Sequence, residues 1–348
     1  MKDIQIDQFF IGQNHKPFII AEMSGNHNHS LQKALKIVDA AADAGAHAIK
    51  LQTYTADTMT IRGAYTVSDK NSLWEGRELY DLYKEAYTPW DWHQIIFDRA
   101  KERGLIPFSS PFDESAVDFL MDLNVPCFKI ASFENTDLPL LRKVAQTGLP
   151  IIMSTGVSEL SEIWESVKFL QENGCKELIL LKCTSTYPAE PTNSNLLTIP
   201  HLSALFNCHV GLSDHTMGIG SAIAATALGA KVIEKHFTIS RAEGGVDSAF
   251  SLEPSEMKSL VIETERAFQS LGDIQYGVQK SEKSSLVFKR SLYVVKDVEK
   301  GEKLTKDNVK VLRPGVGIKP KYFDKVLGKT VSCNIKAGSP LQWELINS

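Results

Sequence analysis

The chain of 348 residues is 43% hydrophobic and 23% charged, with a net charge of −4, the composition of a globular protein with room for one sizeable core and a smaller domain. No Lys/Arg tract marks a nucleic-acid partner, no apolar run approaches the length of a membrane span, and the N-terminal MKDIQIDQFFIGQ lacks a signal-peptide pattern. The five cysteines (Cys127, Cys175, Cys183, Cys208, Cys333) are scattered, odd in number and without CxxC spacing, which reads as reduced packing thiols of a cytoplasmic protein, not as disulfides or a structural zinc site.

Short β-like runs alternate with longer helix-like segments. FIIAEM (18–23) precedes the helix-patterned 31–45, whose closing Gly45 suits a helix C-cap; AIKLQTY (48–54) is followed, after a long connection, by the helix 89–104. IPFSSPF (106–112), CFKIASF (127–133), PIIMSTG (150–156) and LILLKCTST (178–186) each lead into an amphipathic segment. HVGLSD and KVIEKHF flank an Ala-rich helix, and the helix 254–272 ends the series. Eight β/α units with near-continuous apolar strands predict an α/β fold, a (β/α)8 barrel over residues 1–272. A doubly wound sheet would want a GxGxxG after the first strand, where AEMSGN stands. The 55–87 connection, rich in aromatic and charged residues, reads as a lid over the barrel mouth. Polar residues 273–288 read as a linker without clear period. Residues 289–348 read as a small α+β domain in which VVKDVEKGEKLTKDNV and VSCNIKAGSPLQWELI form a pseudo-repeat.

Polar side chains concentrate at the predicted strand ends, which converge on one face of a barrel. Lys50, Lys129, Ser132, Ser154 and Ser185 supply cations and small donors suited to phosphate and carboxylate oxygens. Glu22, Gln52, Glu134, Asp214 and Glu234 suit sugar hydroxyls, a metal or proton transfer. His215 and His236 end consecutive strands, where two imidazoles could share a divalent ion and leave its other positions to water and substrate. Taken alone, the pair reads equally as hydrogen-bonded rim histidines. Asn26 and His27, just after the first strand, are placed to touch a ligand. His15, His47, His93, His201 and His209 read as solvated.

At these residues the chain resembles the phosphoenolpyruvate-dependent sialic acid synthases over essentially its whole length. The resemblance lies in AEMSGNH, AIKLQTY, FSSPFD, FKIASFE, STG, KCTSTYP, GLSDHT and VIEKHFT, and in a C-terminal antifreeze-like (SAF) domain with LRPGVGI. Within that family, SLWEGRELYDLYKEAYTPWDWH is most similar to the pseudaminic acid synthases, which condense phosphoenolpyruvate with 2,4-diacetamido-2,4,6-trideoxy-L-altrose. N-acetylneuraminate or legionaminic acid synthases, acting on N-acetylmannosamine-type sugars, are the alternative.

The resemblance implies a metal-dependent condensation. His215 and His236 would hold a divalent ion, Mn2+ or else Mg2+ or Co2+. Lys50, Lys129, Ser132, Ser154, Ser185 and Ser213 would bind phosphoenolpyruvate. Glu22 and Glu234 would hold or activate water, and Asp214 would support proton transfer. Gln52, Glu134, Tyr187 and Asp247 match sugar-contacting positions. The resemblance further implies a domain-swapped homodimer in which Arg313 enters the partner's sugar site. KCTSTYP departs from the neuraminate synthases, which usually carry Asn at the position of Ser185.

Overall fold

A computed structural model describes residues 1–70 and 74–347. Ser72 and Leu73, the first residues of the aromatic insertion motif, lie outside the described residues. The chain divides into two compact units, Met1–Gly272 and Asp273–Ser348.

In the first unit an antiparallel hairpin, β1 (Ile4–Ile6) and β2 (Phe9–Ile11), precedes eight parallel strands. These are β3 (Phe18–Glu22), β4 (Ala48–Thr53), β5 (Ile106–Pro111), β6 (Phe128–Ile130), β7 (Ile151–Ser154), β8 (Leu178–Cys183), β9 (His209–Asp214) and β10 (Val232–His236). They pair in sequence order and close through β10 against β3, giving the expected barrel. The helices of the sheath are α1 (Leu31–Asp43), α4 (His93–Glu102), α5 (Glu114–Asp122), α6 (Leu138–Ala145), α7 (Leu160–Glu172), α8 (Thr198–Phe206), α9 (Gly220–Ala227) and α10 (Pro254–Leu271). The 55–87 connection contributes α2 (Ala56–Met59) and α3 (Leu79–Ala86).

Side-chain caps start several of these helices: the Ser30 hydroxyl accepts from the Lys33 amide, and the Asp137 carboxylate from the Leu140 amide. Just past α1, Gly45 turns the chain with φ of +86°, a conformation that favours glycine.

Because side chains alternate across a strand, each buried strand feeds two cores. Ile19, Ile49, Leu51, Ile130, Leu212 and Ile233 face the helices. Phe18, Ile20, Phe108, Ile152, Leu181 and Val232 fill the barrel interior. Ile4, Ile6 and Ile11 of the hairpin, which the hydrophobic pattern did not single out, belong to this inner cluster. They close the end of the barrel opposite the strand C-termini, so the interior is packed below and polar above.

In the second unit β11 (Ser291–Val294) and β12 (Val309–Leu312) pair antiparallel over a core that includes Leu292, Val298, Leu304 and Val331. The two pseudo-repeat phrases meet where Val298 and Ile335 exchange backbone hydrogen bonds of 2.9 and 2.8 Å. Within the stretch read as aperiodic, Lys280–Phe288 forms an exposed 3-10 run. Among the described residues no helix is long and apolar enough to cross a membrane.

Candidate active site

Register decides which polar groups meet at the mouth of the barrel. Glu22 lies opposite Lys50 on one side and His236 on the other; Ser213 lies opposite Glu234 and Cys183. All six point inward: Glu22, Lys50, Glu234 and Cys183 lie two positions after the inner apolar Ile20, Ala48, Val232 and Leu181, and His236 continues the phase of Glu234.

The centre is a buried charge network. Lys50 Nζ is 3.0 Å from Glu22 Oε2 and 3.4 Å from Glu234 Oε1, and Lys129 Nζ is 3.6 Å from the same Glu234 oxygen. Lys129 also donates to Ser154 Oγ at 2.7 Å, Lys50 to Ser110 Oγ at 3.3 Å, and Ser213 to Glu234 Oε1 at 3.2 Å. Burial pushes the Glu234 carboxyl up, but the Lys129 and Lys50 ammonium groups outweigh it and hold the pKa below the usual range. For Glu22 burial wins over Lys50, and its pKa is raised. Lys129 is lowered, chiefly by burial, while Lys50 is raised because its two carboxylates overcome burial. Two ammonium groups thus share one firmly ionised carboxylate, which leaves cationic character for an anionic ligand.

Next to Lys129 is a cradle of hydroxyls. The Gly156 amide donates to Ser132 Oγ at 3.2 Å. A Cβ on Gly156 would stand 2.2 Å from Ser185 Oγ and 2.6 Å from Ser132 Oγ, so only glycine leaves this space open. Two adjacent hydroxyls, an ammonium and Ser154 suit the oxygens of a phosphate or carboxylate.

On the other side, the rings of His215 and His236 lie 5.3 Å apart, with Tyr187 4.5 Å from His215 and Phe250 4.9 Å from His236. His215 Nδ1 donates to the Thr184 carbonyl at 3.0 Å, which fixes the ring's orientation; burial pushes this imidazole down, but Cys183 and that carbonyl outweigh it and raise its pKa. His236 is held neutral, its pKa lowered well below the usual value by burial and then by His215 and the lysines. Its Nδ1 is buried without a hydrogen bond among the described residues, and Asp247 Oδ2 is 3.6 Å away. Among the described residues no group of three or more His, Cys, Asp or Glu side chains is gathered to hold an ion. A neutral imidazole with an orphaned nitrogen, facing a second imidazole, fits a divalent ion whose remaining positions go to water and substrate, and does not fit a closed structural site.

Gln52 donates to Glu22 Oε1 at 2.9 Å and to Ser24 Oγ at 3.2 Å. With Glu134, Tyr187, His236 and Asp247 it lines a cavity of about 320 Å³ that reaches the outer side of the mouth. Burial raises the Glu134 carboxyl to about 7 and raises Asp247. Fourteen of the sixteen residues to which the resemblance gives a role therefore come together. Arg313 lies exposed in the second unit, after β12.

The other exception is a correction. Asp214, expected to serve proton transfer, faces away from the mouth: it ion-pairs at 2.9 Å with Lys235, whose side chain is fully buried, and accepts from the Thr216 amide and hydroxyl. In β9, Leu212 already points outward, and Asp214 shares its phase. Asn26 and His27 are likewise spent on structure, donating to the Phe237 carbonyl and pairing with Thr88. His47, His93 and His209, read as solvated, are bonded to the Ile19 amide, Thr53 and the Lys2 carbonyl, with His93 and His209 buried.

One site residue was read as mere packing. Cys183 points inward, its Sγ 3.9 Å from His215 Nδ1 and 3.4 Å from Ser185 Oγ. Burial pushes the thiol up, but the His215 contact outweighs it and brings the pKa down to about 6. Its phase with Ile179 and Leu181 was the available signal.

Comparison with known proteins gives the family. The NeuB family model matches residues 37–276 and the SAF domain model residues 289–347. The chain is 42% identical over 340 residues to a pseudaminic acid synthase of Campylobacter jejuni, covering 97% of this chain and 98% of that protein. It is 40% identical to a pseudaminic acid synthase of Helicobacter pylori, covering 93% and 96%. The crystal structure of an N-acetylneuraminic acid synthetase from Leptospira borgpetersenii superposes with a TM-score of 0.74 at 34% identity, over 82% of this chain and 96% of that one. The chain belongs to the NeuB family, with a SAF domain following its barrel.

Proposed function

We propose that the protein is a pseudaminic acid synthase, condensing phosphoenolpyruvate with 2,4-diacetamido-2,4,6-trideoxy-L-altrose to give pseudaminic acid and phosphate. The observation that carries this reading is the pair of lysines sharing Glu234 beside two facing imidazoles at one barrel mouth. The relatives' names support pseudaminic acid as the product.

Lys50, Lys129, Ser132, Ser154, Ser185 and Ser213 take the phosphate and carboxylate oxygens of phosphoenolpyruvate. Gln52, Glu134, Tyr187 and Asp247 hold the open-chain sugar with its aldehyde carbon against C3 of phosphoenolpyruvate. A new C–C bond forms between those carbons, and the aldehyde oxygen takes a proton. The C2–C3 π pair makes that bond and leaves C2 electron-deficient. Water held by Glu22 and Glu234 adds to C2 and loses one proton to a carboxylate. The resulting C2 hydroxyl loses its proton as C2=O forms and the C2–O bond to phosphate breaks. A divalent ion at His215 and His236 (Mn2+, or Mg2+ or Co2+) would polarise the aldehyde oxygen. The working form is a cytoplasmic domain-swapped homodimer, with Arg313 contacting sugar in the partner's barrel.

Phosphate release from phosphoenolpyruvate tests this directly. It should require both the sugar and a divalent ion, stop in EDTA and return with Mn2+; full activity after metal stripping would refute the metal role. An N-acetylneuraminate or legionaminic acid synthase is the second reading, favoured by the likeness to the Leptospira structure. Its distinguishing result is preferred turnover of N-acetylmannosamine-type sugars.

A further inference from the structure

The 320 Å³ cavity has two unlike sides. Toward the barrel axis it is polar, with Gln52, Glu134, Asp247 and His236. Toward α2 and α3 it is apolar, formed by Met59, Leu79, Leu82, Tyr83 and the rings of Tyr54 and Phe112. This wall is firmly backed: Tyr54 stands edge-on to Tyr83 at 5.8 Å and to Phe112 at 5.1 Å, and both Tyr54 and Leu82 are buried.

The orientation of a sugar in this cavity follows from where its chemistry must occur. The reacting aldehyde end belongs at the polar floor, beside the imidazoles and lysines. The opposite end of a six-carbon chain then lies against the apolar wall. Met59, Leu79 and Leu82 offer no hydrogen-bond partner, so a hydroxyl brought there gives up water with nothing in return, whereas a methyl group is buried favourably.

We infer that the wall formed by Met59 and Leu79 is the specificity surface for the far end of the sugar, selecting a terminal methyl over a hydroxymethyl group. This rests on the proposed reading and deepens it: the 6-deoxy character of the substrate is recognised by side chains of the 55–87 connection, apart from the residues that conduct the reaction.

The test compares 2,4-diacetamido-2,4,6-trideoxy-L-altrose with its 6-hydroxy counterpart, which differs at C6 alone. The wild-type protein should favour the 6-deoxy sugar by about 10- to 100-fold in kcat/KM. Leu79→Asn and Met59→Gln should each reduce that ratio about tenfold while the KM for phosphoenolpyruvate stays within twofold. Leu79→Ala, which introduces no polar group, should lower the ratio in the same direction and guards against misfolding of the polar variants. Equal use of the two sugars by the wild type, or equal losses on both sugars in the variants, would overturn the inference and leave the proposed reaction standing. Preference for N-acetylmannosamine over both would overturn the proposed reaction itself.

Discussion

Lys235 Nζ reaches Asp214 Oδ2 at 2.9 Å on the outer face of the barrel, while the residues beside them, Ser213 and Glu234, meet on the inner face at 3.2 Å. The same ammonium donates to the Thr216 and Gly218 carbonyls at 2.6 and 2.8 Å. It thereby ties down the turn that carries His215, from a strand that ends in His236. Lys235 is a positioning residue, and Asp214 is its counter-ion.

That assignment separates two variants. Asp214→Asn keeps an acceptor for Thr216, so kcat should fall less than tenfold and the pH–rate profile should keep its shape. A general acid or base at this position would lose one limb of the profile. Lys235→Met leaves a buried carboxylate without its partner, with an expected loss of about 3–5 kcal/mol of stability. In the folded fraction it should also weaken Mn2+ binding, read by titration calorimetry, because the His215 turn is no longer held. Unchanged metal affinity would reduce Lys235 to a purely structural group.

The shared-carboxylate arrangement predicts a division of effects on KM. Lys129→Met removes a charged donor to the anion and should raise the KM for phosphoenolpyruvate about 10- to 100-fold. The KM for the sugar should move by less than threefold. Steady-state kinetics with each substrate varied in turn provides the check.

Gly156→Ala tests the hydroxyl cradle without touching any charge. The added methyl would collide with the Ser132 and Ser185 hydroxyls, so phosphoenolpyruvate binding should weaken at least tenfold by calorimetry. Thermal stability should change far less than affinity if the space exists for ligand oxygens.

Two buried histidines and one half-buried one predict how stability depends on pH. Burial lowers His27, His47 and His93 to about 4 from an ordinary 6.5. Each is neutral in the fold and protonates more readily when unfolded, so the stability it confers is full above about 6.5 and lost as pH falls toward 4. Each contributes a slope of about 1.4 kcal/mol per pH unit in that window. His47→Gln, whose amide oxygen can still accept from Ile19, should reduce the slope by about that amount in urea unfolding measured between pH 4 and 6.5.

The barrel was legible because its strands are short apolar runs at regular spacing, and the site because polar residues interrupt those runs near their ends. What the apolar runs do not display is phase. Asp214 and Lys235 sit among site residues in sequence yet face the helices, and Cys183 looks like packing yet faces the barrel mouth. Counting in twos from Leu212, Ile233 and Leu181 would have placed all three. The partial burial of His47 was beyond such counting. It depends on a hairpin whose Phe9 comes within 4.3 Å of the imidazole from 38 positions earlier in the chain.

The most direct measurement is kcat/KM for 2,4-diacetamido-2,4,6-trideoxy-L-altrose against N-acetylmannosamine, with phosphoenolpyruvate and Mn2+ saturating and phosphate release as the readout. Preference for the trideoxy sugar by two orders of magnitude or more is the predicted result. Comparable or better turnover of N-acetylmannosamine would contradict it.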